Sequence, residues 1–481
     1  MRFANPRYEN EEVTYEDVFL FQDYFEGNSR LDDVSIIPTS FFGTSIPIVS
    51  ANMNAVTGKR LAETLARYGG LGVLPQDMDI SVMKRIVASI KSAPVKFDTP
   101  ITVTLKNNVR DALGILYKRS HLCVIGVDEM YRPIGIFKEK DLLEIDQFTC
   151  LGELRKPPLV TAPEDISGED AYNLMEHEGI SSLPIINNKG VLVGILTKKN
   201  VIRGGIYTPN IGSDGKLSAA VALGINNFQE KARAMINMGV EIFVLDTAHG
   251  YQKKMIEAIK SFRKEFGNKI TLIAGNVITE KATHDLIKAG ANGVKVGIGP
   301  GAMCTTRMKT GVGRPQFSAV YHCSQEAKKL GGFVWADGGI RAPRDVCLAL
   351  AAGASHVMVG SLFAGTYEST GDIHYDGDGA MYKENYGMAS GKAVNLRTNI
   401  LSPFEQAKRA LFQEGISTSR IYLRKGWEGV GDVIDECMTG LRSSMTYVGA
   451  RNLNEFHEKA IIGVQTSAGF HEGTPHGKVI Q

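Results

Sequence analysis

The sequence predicts an α/β protein whose core is a closed barrel of eight parallel strands ringed by helices and interrupted by one inserted domain. Three observations predict it: short apolar runs recur eight times, helical stretches separate them, and one connection is more than a hundred residues long. The runs are 46–50 (IPIVS), 71–75 (LGVLP), 218–223 (SAAVAL), 242–246 (IFVLD), 271–275 (TLIAG), 293–297 (GVKVG), 333–337 (FVWAD) and 356–360 (HVMVG). Their apolar character is continuous rather than alternating, as in strands buried on both faces of a parallel sheet. Segments 58–69, 227–239, 253–266 and 342–353 read as the intervening helices. Alternation of this kind is the pattern of a (β/α)8 TIM barrel. A doubly wound open sheet is the structural alternative, and the count of eight favours closure.

Composition narrows the function classes. The 481 residues carry 54 Lys and Arg against 52 Asp and Glu, a net charge of +2. With the two signs interspersed, binding of nucleic acid or a membrane surface through bulk charge is not expected. The N-terminal stretch is polar and acidic, without a signal-peptide core, and no apolar run is long enough to span a membrane. Six cysteines (Cys123, Cys150, Cys304, Cys323, Cys347, Cys437) show no paired spacing. The expectation is a cytoplasmic protein with reduced thiols.

A loop of more than a hundred residues is not structureless in a compact protein, so the long connection reads as a domain. The expected boundaries are 1–92 for the first part of the barrel, 93–206 for the insert and 207–481 for the rest. The insert contains a repeat, about 93–150 and 151–206. The first copy reads HLCVIGVDEMYRPIGIFKEKDLL (121–143) and the second SSLPIINNKGVLVGILTKKNVI (181–202). Each reads as strand, turn, strand, then helix, behind an amphipathic helix at 109–119 or 168–179. The pair resembles a tandem CBS (Bateman) module, which implies a regulatory adenine or guanine nucleotide between the copies. The hydroxyl-and-acid motif of such modules is half kept in each copy: Lys138 with Asp141, and Thr197 with Asn200. A purely structural or oligomerising module is the other reading.

Barrel chemistry sits at the C-terminal ends of strands. Three constellations lie there. GIGPGAMCTTR (297–307) is a glycine-rich loop ending in Cys304, either a nucleophile stabilised by local amides or a buried small hydrophobe. Asp337, Gly338 and Gly339, with Gly360 and Ser361, close the seventh and eighth strands, where many barrels bind phosphate. Asp337 suits ribose hydroxyls, or only caps a helix. Asp246, in LDTAHGYQ, either meets a second ligand or caps.

These motifs, with AGNV and GLRSSMTYVGA, make the chain resemble the IMP dehydrogenase/GMP reductase family over essentially its whole length. The resemblance implies a nucleotide, GMP or IMP, held at Met53, Asp337, Gly338, Gly339, Gly360, Ser361, Tyr386, Gly387 and Met388. It implies attack by Cys304 on C2 of the purine, a cofactor lined by Asp246, Thr247, Ala248, Asn276 and Gly297, and a potassium ion on the carbonyls of Gly299, Gly301 and Cys304. Glu472 resembles a residue that completes the cation site from a neighbouring subunit, in a homotetramer or octamer. Two positions depart from the family pattern: Ala302 stands for a phosphate-binding Ser, and Ala51 precedes Asn52 and Met53 in a reductase-like loop.

Within the family, the dehydrogenase needs an adjacent Arg-Tyr pair to activate water. The flap from about 392 to 429 contains no such pair; Arg420 and Tyr422 are separated by Ile421. The reductase uses a Thr two residues after the Cys with a Glu, matched here by Thr306 and Glu414. YGMAS (386–390) is also reductase-like. The expectation is therefore NADPH-dependent GMP reduction, with Cys304, Thr306 and Glu414 catalytic. IMP dehydrogenation with NAD is the alternative, and a catalytically silent nucleotide sensor the reading from another class.

Overall fold

The computed structural model describes residues 1–38, 42–154, 159–387, 402, 404, 405, 408 and 418–475. All eight apolar runs form strands of one parallel sheet. They are β1 (Ile48–Ser50), β2 (Gly72–Leu74), β3 (Ala219–Leu223), β4 (Ile242–Asp246), β5 (Thr271–Val277), β6 (Gly293–Val296), β7 (Phe333–Asp337) and β8 (His356–Val359). Strands β2 to β8 pair in chain order, β8 pairs back with β1, and a parallel bridge from Val49 to Leu71 completes the ring. The sheet is the expected barrel, not an open one.

Among the described residues, eight helices flank it: α1 (Lys59–Arg67), α2 (Ile80–Ser92), α3 (Gln229–Ile236), α4 (Lys253–Phe266), α5 (Glu280–Ala289), α6 (Gln316–Lys329), α7 (Pro343–Ala351) and α8 (Val430–Val448). Alternate residues of each strand point opposite ways, which divides the apolar runs between two cores. Val49, Leu71, Val73, Ala220, Ala222, Ile242, Val244, Ile273, Trp335 and Met358 fill the barrel interior. Phe243, Leu245, Val294, Val296, Val334 and Ala336 face outward into the layer covered by the helices.

Between α2 and β3 the chain builds two small units. The first pairs Thr102–Thr104, Cys123–Val127 and Pro133–Lys138 beside helix Val109–Leu116. The second pairs Ala162–Pro163, Ser182–Ile186 and Leu192–Thr197 beside helices Gly168–His177 and Lys198–Ile206. The sheets share an apolar seam of Cys123, Ile125, Val127, Leu192 and Ile195. One expectation fails: the helix that closes the second copy is only a single 3-10 turn, Glu139–Asp141, in the first. Asp141 takes the Lys138 amide at 2.9 Å and Asp146 takes the Phe148 amide at 2.9 Å. The first bond starts the turn at its N-cap; the second, from a short acidic side chain to a nearby amide, competes with helix propagation.

The insert is bound to the barrel by buried charge. Asp98 accepts from Arg67 of α1 at 3.0 Å and from Arg119 of the first unit at 3.2 Å, and Arg119 also pairs with Glu63 of α1. Glu368, which is buried, accepts the Ser120 amide at 2.9 Å and the Val430 amide at 3.0 Å, joining the first unit to the start of α8. Asn200 accepts from the Tyr68 hydroxyl at 3.1 Å, and Arg203 pairs with Asp432 and Asp435 at 2.6 and 2.7 Å.

Burial alone would raise the Asp98 carboxyl, but Arg119 and Arg67 outweigh it and hold it below its ordinary value. Asp98→Asn leaves two guanidinium groups buried against an uncharged acceptor and is expected to destabilise the fold by about 3–5 kcal/mol, read as a lower urea midpoint. The Asp98 contribution is present above the unfolded carboxylate range and lost as pH falls through the lower folded value. The part of the acid-induced loss of stability due to this group should therefore be missing from the variant.

Candidate active site

The C-terminal ends of the strands surround one cleft of about 1600 Å³. Lys295, on the inward side of β6, lies at the base of its polar wall and is buried. Its ammonium bonds Asp246 at the end of β4 at 2.9 Å and Asp337 at the end of β7 at 2.6 Å. Asn52 donates to the other Asp246 oxygen at 2.9 Å. Asn276 donates to Asp337 at 2.9 Å and to the Gly297 carbonyl at 2.6 Å. Burial works to lower the Lys295 pKa; the two carboxylates outweigh it and hold the ammonium charged. Neither aspartate caps a helix, since the N-caps of α4 and α7 are Gln252 and Ala342.

Sequence reasoning passed over Lys295. Its signal was present, as the one charged residue inside the eight apolar runs that does not end its run. Gln316, at the start of α6, was also missed. Its amide donates to the Val296 and Asp337 carbonyls at 2.9 and 3.1 Å, binding the end of β6 to that of β7.

Around this wall the backbone turns sharply. Gly297 has φ +151°, and a Cβ there would lie 1.9 Å from the Asp337 carbonyl, so only glycine lets the two strand ends approach. Gly338 has φ +93°, with Pro300 against it. Gly338, Gly339, Gly360 and Ser361 form one corner of the cleft, with Met53 beside Gly360. Ser361 donates to the Ile340 carbonyl at 3.3 Å.

Cys304 stands on the glycine-rich loop and is exposed, whereas Cys123, Cys323, Cys347 and Cys437 are buried and Cys150 is intermediate. The buried-hydrophobe reading of Cys304 is thereby excluded. Its sulfur is 3.2 Å from the Thr306 hydroxyl, which heads the short helix Thr306–Thr310, and its amide donates to the Gly301 carbonyl at 3.0 Å. Gly299, Gly301, Thr247, Ala248 and Gly387 also line the cleft.

Two expected residues, Tyr386 and Glu472, are not among the described residues of this wall. Met388 and Glu414 lie outside the described residues. Asn385 and Gly387, the neighbours of Tyr386, do line the wall. Glu472 is exposed at the end of helix Ser467–Glu472, while Phe470 of the same helix reaches the cleft. Arg420 and Tyr422 share one side of strand Ser419–Tyr422, and the Arg420 guanidinium lies 4.6 Å from the centre of the Tyr382 ring. Neither is among the described residues of the cleft wall.

Lys295→Met removes the cation between two carboxylates that remain half-buried. It should cost about 3–5 kcal/mol of stability. In folded protein, calorimetry should find purine-nucleotide binding weakened more than tenfold, as expected when a loss exceeds about 1.4 kcal/mol.

The geometry agrees with comparisons to known proteins. A family model described as the IMP dehydrogenase / GMP reductase domain matches residues 12–476. A GMP reductase of Mycobacterium tuberculosis (strain ATCC 25618 / H37Rv) is 50% identical over 477 residues, covering 99% of each chain. An inosine-5′-monophosphate dehydrogenase of Aquifex aeolicus (strain VF5) is 38% identical over 475 residues, covering 97% of this chain and 95% of the relative. A crystal structure of GMP reductase from Trypanosoma brucei in complex with guanosine 5′-monophosphate superposes with a TM-score of 0.69 at 29% identity, covering 97% of this chain and 98% of that one. With a family model matched over residues 12–476 and a relative 50% identical along the whole chain, the chain belongs to the IMP dehydrogenase/GMP reductase family.

Proposed function

We propose that this enzyme is a GMP reductase: GMP + NADPH + H⁺ → IMP + NADP⁺ + NH₃. The observation that carries the reading is the exposed Cys304 thiol with the Thr306 hydroxyl 3.2 Å away, on the wall of a cleft that also holds the paired glycines. GMP suits that cleft. Its phosphate would take the backbone amides around Gly338, Gly339 and Gly360 and the Ser361 hydroxyl, its ribose would donate to Asp337, and its purine would lie between Met53 and the Gly387 rim.

Cys304, as thiolate, adds to C2 of the purine and forms a carbon–sulfur bond. The exocyclic amine takes a proton through Thr306, with Glu414 as the acid, and leaves as ammonia. NADPH, when bound, supplies the hydride that adds to C2. The carbon–sulfur bond then breaks, IMP departs and the thiolate is restored. The residues assigned to the cofactor are Asp246, Thr247, Ala248, Asn276 and Gly297. Asn276 Oδ1 is buried and has no hydrogen-bond partner among the described residues, an orphaned acceptor of the kind that a ligand donor satisfies, directly or through water. Carbonyl oxygens suit a monovalent cation, and a potassium ion held by Gly299, Gly301 and Cys304, with Glu472 from a neighbouring subunit of a tetramer or octamer, would steady the loop that bears the thiol.

The dehydrogenase reading is less well supported, because Arg420 and Tyr422 are engaged around Tyr382. We read the two inserted units as a CBS pair that senses an adenine or guanine nucleotide. The motif residue Lys138 donates to Ser181 at 2.8 Å, and Asn200 is held by Tyr68. Any regulatory nucleotide would have to compete with or bypass these bonds.

A paired assay tests the reaction. GMP-dependent oxidation of NADPH is expected, and IMP-dependent reduction of NAD in its place overturns the reading. Cys304→Ala should abolish turnover. Glu414→Gln should lower kcat by about 10²–10⁴, the usual weight of a general acid, with GMP binding retained.

A further inference from the structure

Beyond β8 the chain passes through Gly360 and helix Ser361–Ala364, then runs beneath a small antiparallel sheet of His374–Tyr375, Met381–Asn385 and Ser419–Tyr422. The middle strand leads to the cleft, where Asn385 and Gly387 form part of the wall. Lys383, two residues before Asn385 on the same buried face, is only 2% exposed. Its ammonium donates to the Tyr367 carbonyl at 3.1 Å, the Ser369 carbonyl at 3.0 Å and the Ser369 hydroxyl at 3.1 Å. All three acceptors are uncharged. Burying an ammonium on such partners is costly, so this lysine is not a filler of the core.

The segment it grips is itself firmly held. Thr370 donates to the Asn54 carbonyl at 2.6 Å, Arg60 reaches the Ser369 carbonyl at 3.3 Å, and the Tyr367 amide bonds the Glu428 carbonyl at 2.7 Å. Tyr117 of the first inserted unit stacks on Tyr367, with ring centres 5.9 Å apart. Lys383 therefore ties a strand that ends in the cleft wall to a fixed part of the barrel.

We propose that Lys383 is a positioning residue for the reaction: by fastening strand Met381–Asn385 to Tyr367 and Ser369, it sets how the Asn385–Gly387 rim closes on the nucleotide. This rests on the reading of the cleft as a purine-nucleotide site. Burial, and next the positive charge of Arg60, push the Lys383 amine down to about 7. The other charged groups facing it are Glu368 and Asp372 of the gripped segment and Lys118 of the first inserted unit. Once neutral, the amine donates only two hydrogen bonds and releases one of its three acceptors, so the rim loosens as pH rises.

The test compares full-length wild type with Lys383→Met, which keeps the apolar stem and removes the donors, and Ser369→Ala, which removes one acceptor together with the hydroxyl's own bond to the Ala364 and Thr366 carbonyls. Each is scored by steady-state kinetics and by GMP protection of Cys304 against iodoacetamide. The Met variant should lose kcat/KM for GMP by roughly ten- to a hundredfold, as slight misplacement of a site does. Protection should need correspondingly more GMP, while the alkylation rate without nucleotide stays unchanged. The Ala variant should shift the same way by roughly two- to tenfold, the loss of the Lys383 bond to the hydroxyl. Wild type should show a limb of kcat/KM that falls as pH rises through about 7, absent from the Met variant. Wild-type values within twofold for both variants overturn the proposal; if Lys383→Met does not fold, Ser369→Ala alone decides. Failure of GMP to protect the wild-type thiol would instead overturn the nucleotide reading itself.

Discussion

One ammonium in the barrel interior governs the site. Lys295 meets Asp246 and Asp337 from strands that are not neighbours in the ring, β4 and β7, and lies between them on β6. Two half-buried carboxylates this close would repel each other. The lysine between them offsets that repulsion, and Asn52 on one side and Asn276 on the other hold them in place. The polar wall is thus a single electrostatic unit that spans the lumen from β1 to β7. It rests on an apolar plug that includes Trp335 and Met358, and that plug keeps water from screening the pairs.

Above the wall the constraints are steric. The strand ends at Gly297 and Asp337 approach to a distance that no side chain at 297 permits. The loop that follows then has to rise out of the barrel, and it carries the one exposed cysteine. Cys150 is half-buried, and burial pushes the thiols of Cys123, Cys323, Cys347 and Cys437 up to about 12 and leaves them inert. Exposure, rather than cysteine chemistry in general, marks Cys304.

The barrel was legible because its strands are buried on both faces, so each appears as an uninterrupted apolar run whatever its register. The strand-end residues were legible for a related reason: in this architecture, position along a strand already says which end of the barrel a residue faces. Lys295 was not, because a lysine inside an apolar run carries no mark of direction; only the pairing of β6 shows that it points inward. Gln316 was hidden because its role is to bond two carbonyls that are distant in sequence. The closing helix of the first repeat was overread, since similarity to the second copy concealed the acidic side chains that bond their own backbone at 138–148. Asn200 had stood out as a broken motif. Its bond to Tyr68 gives that position a different duty, fixing the insert to α1.

That attachment bears on how separable the insert is. Glu368 spends one carboxylate oxygen on the Ser120 amide and the other on the Val430 amide, and Arg67 of α1 shares Asp98 with Arg119, which also pairs with Glu63 of α1. A barrel excised from residues 93–206 would expose this ionic seam to water with half its members missing. The module therefore cannot be regarded as a cassette carried by an autonomous catalytic scaffold. Its ion pairs make it part of the scaffold's own architecture.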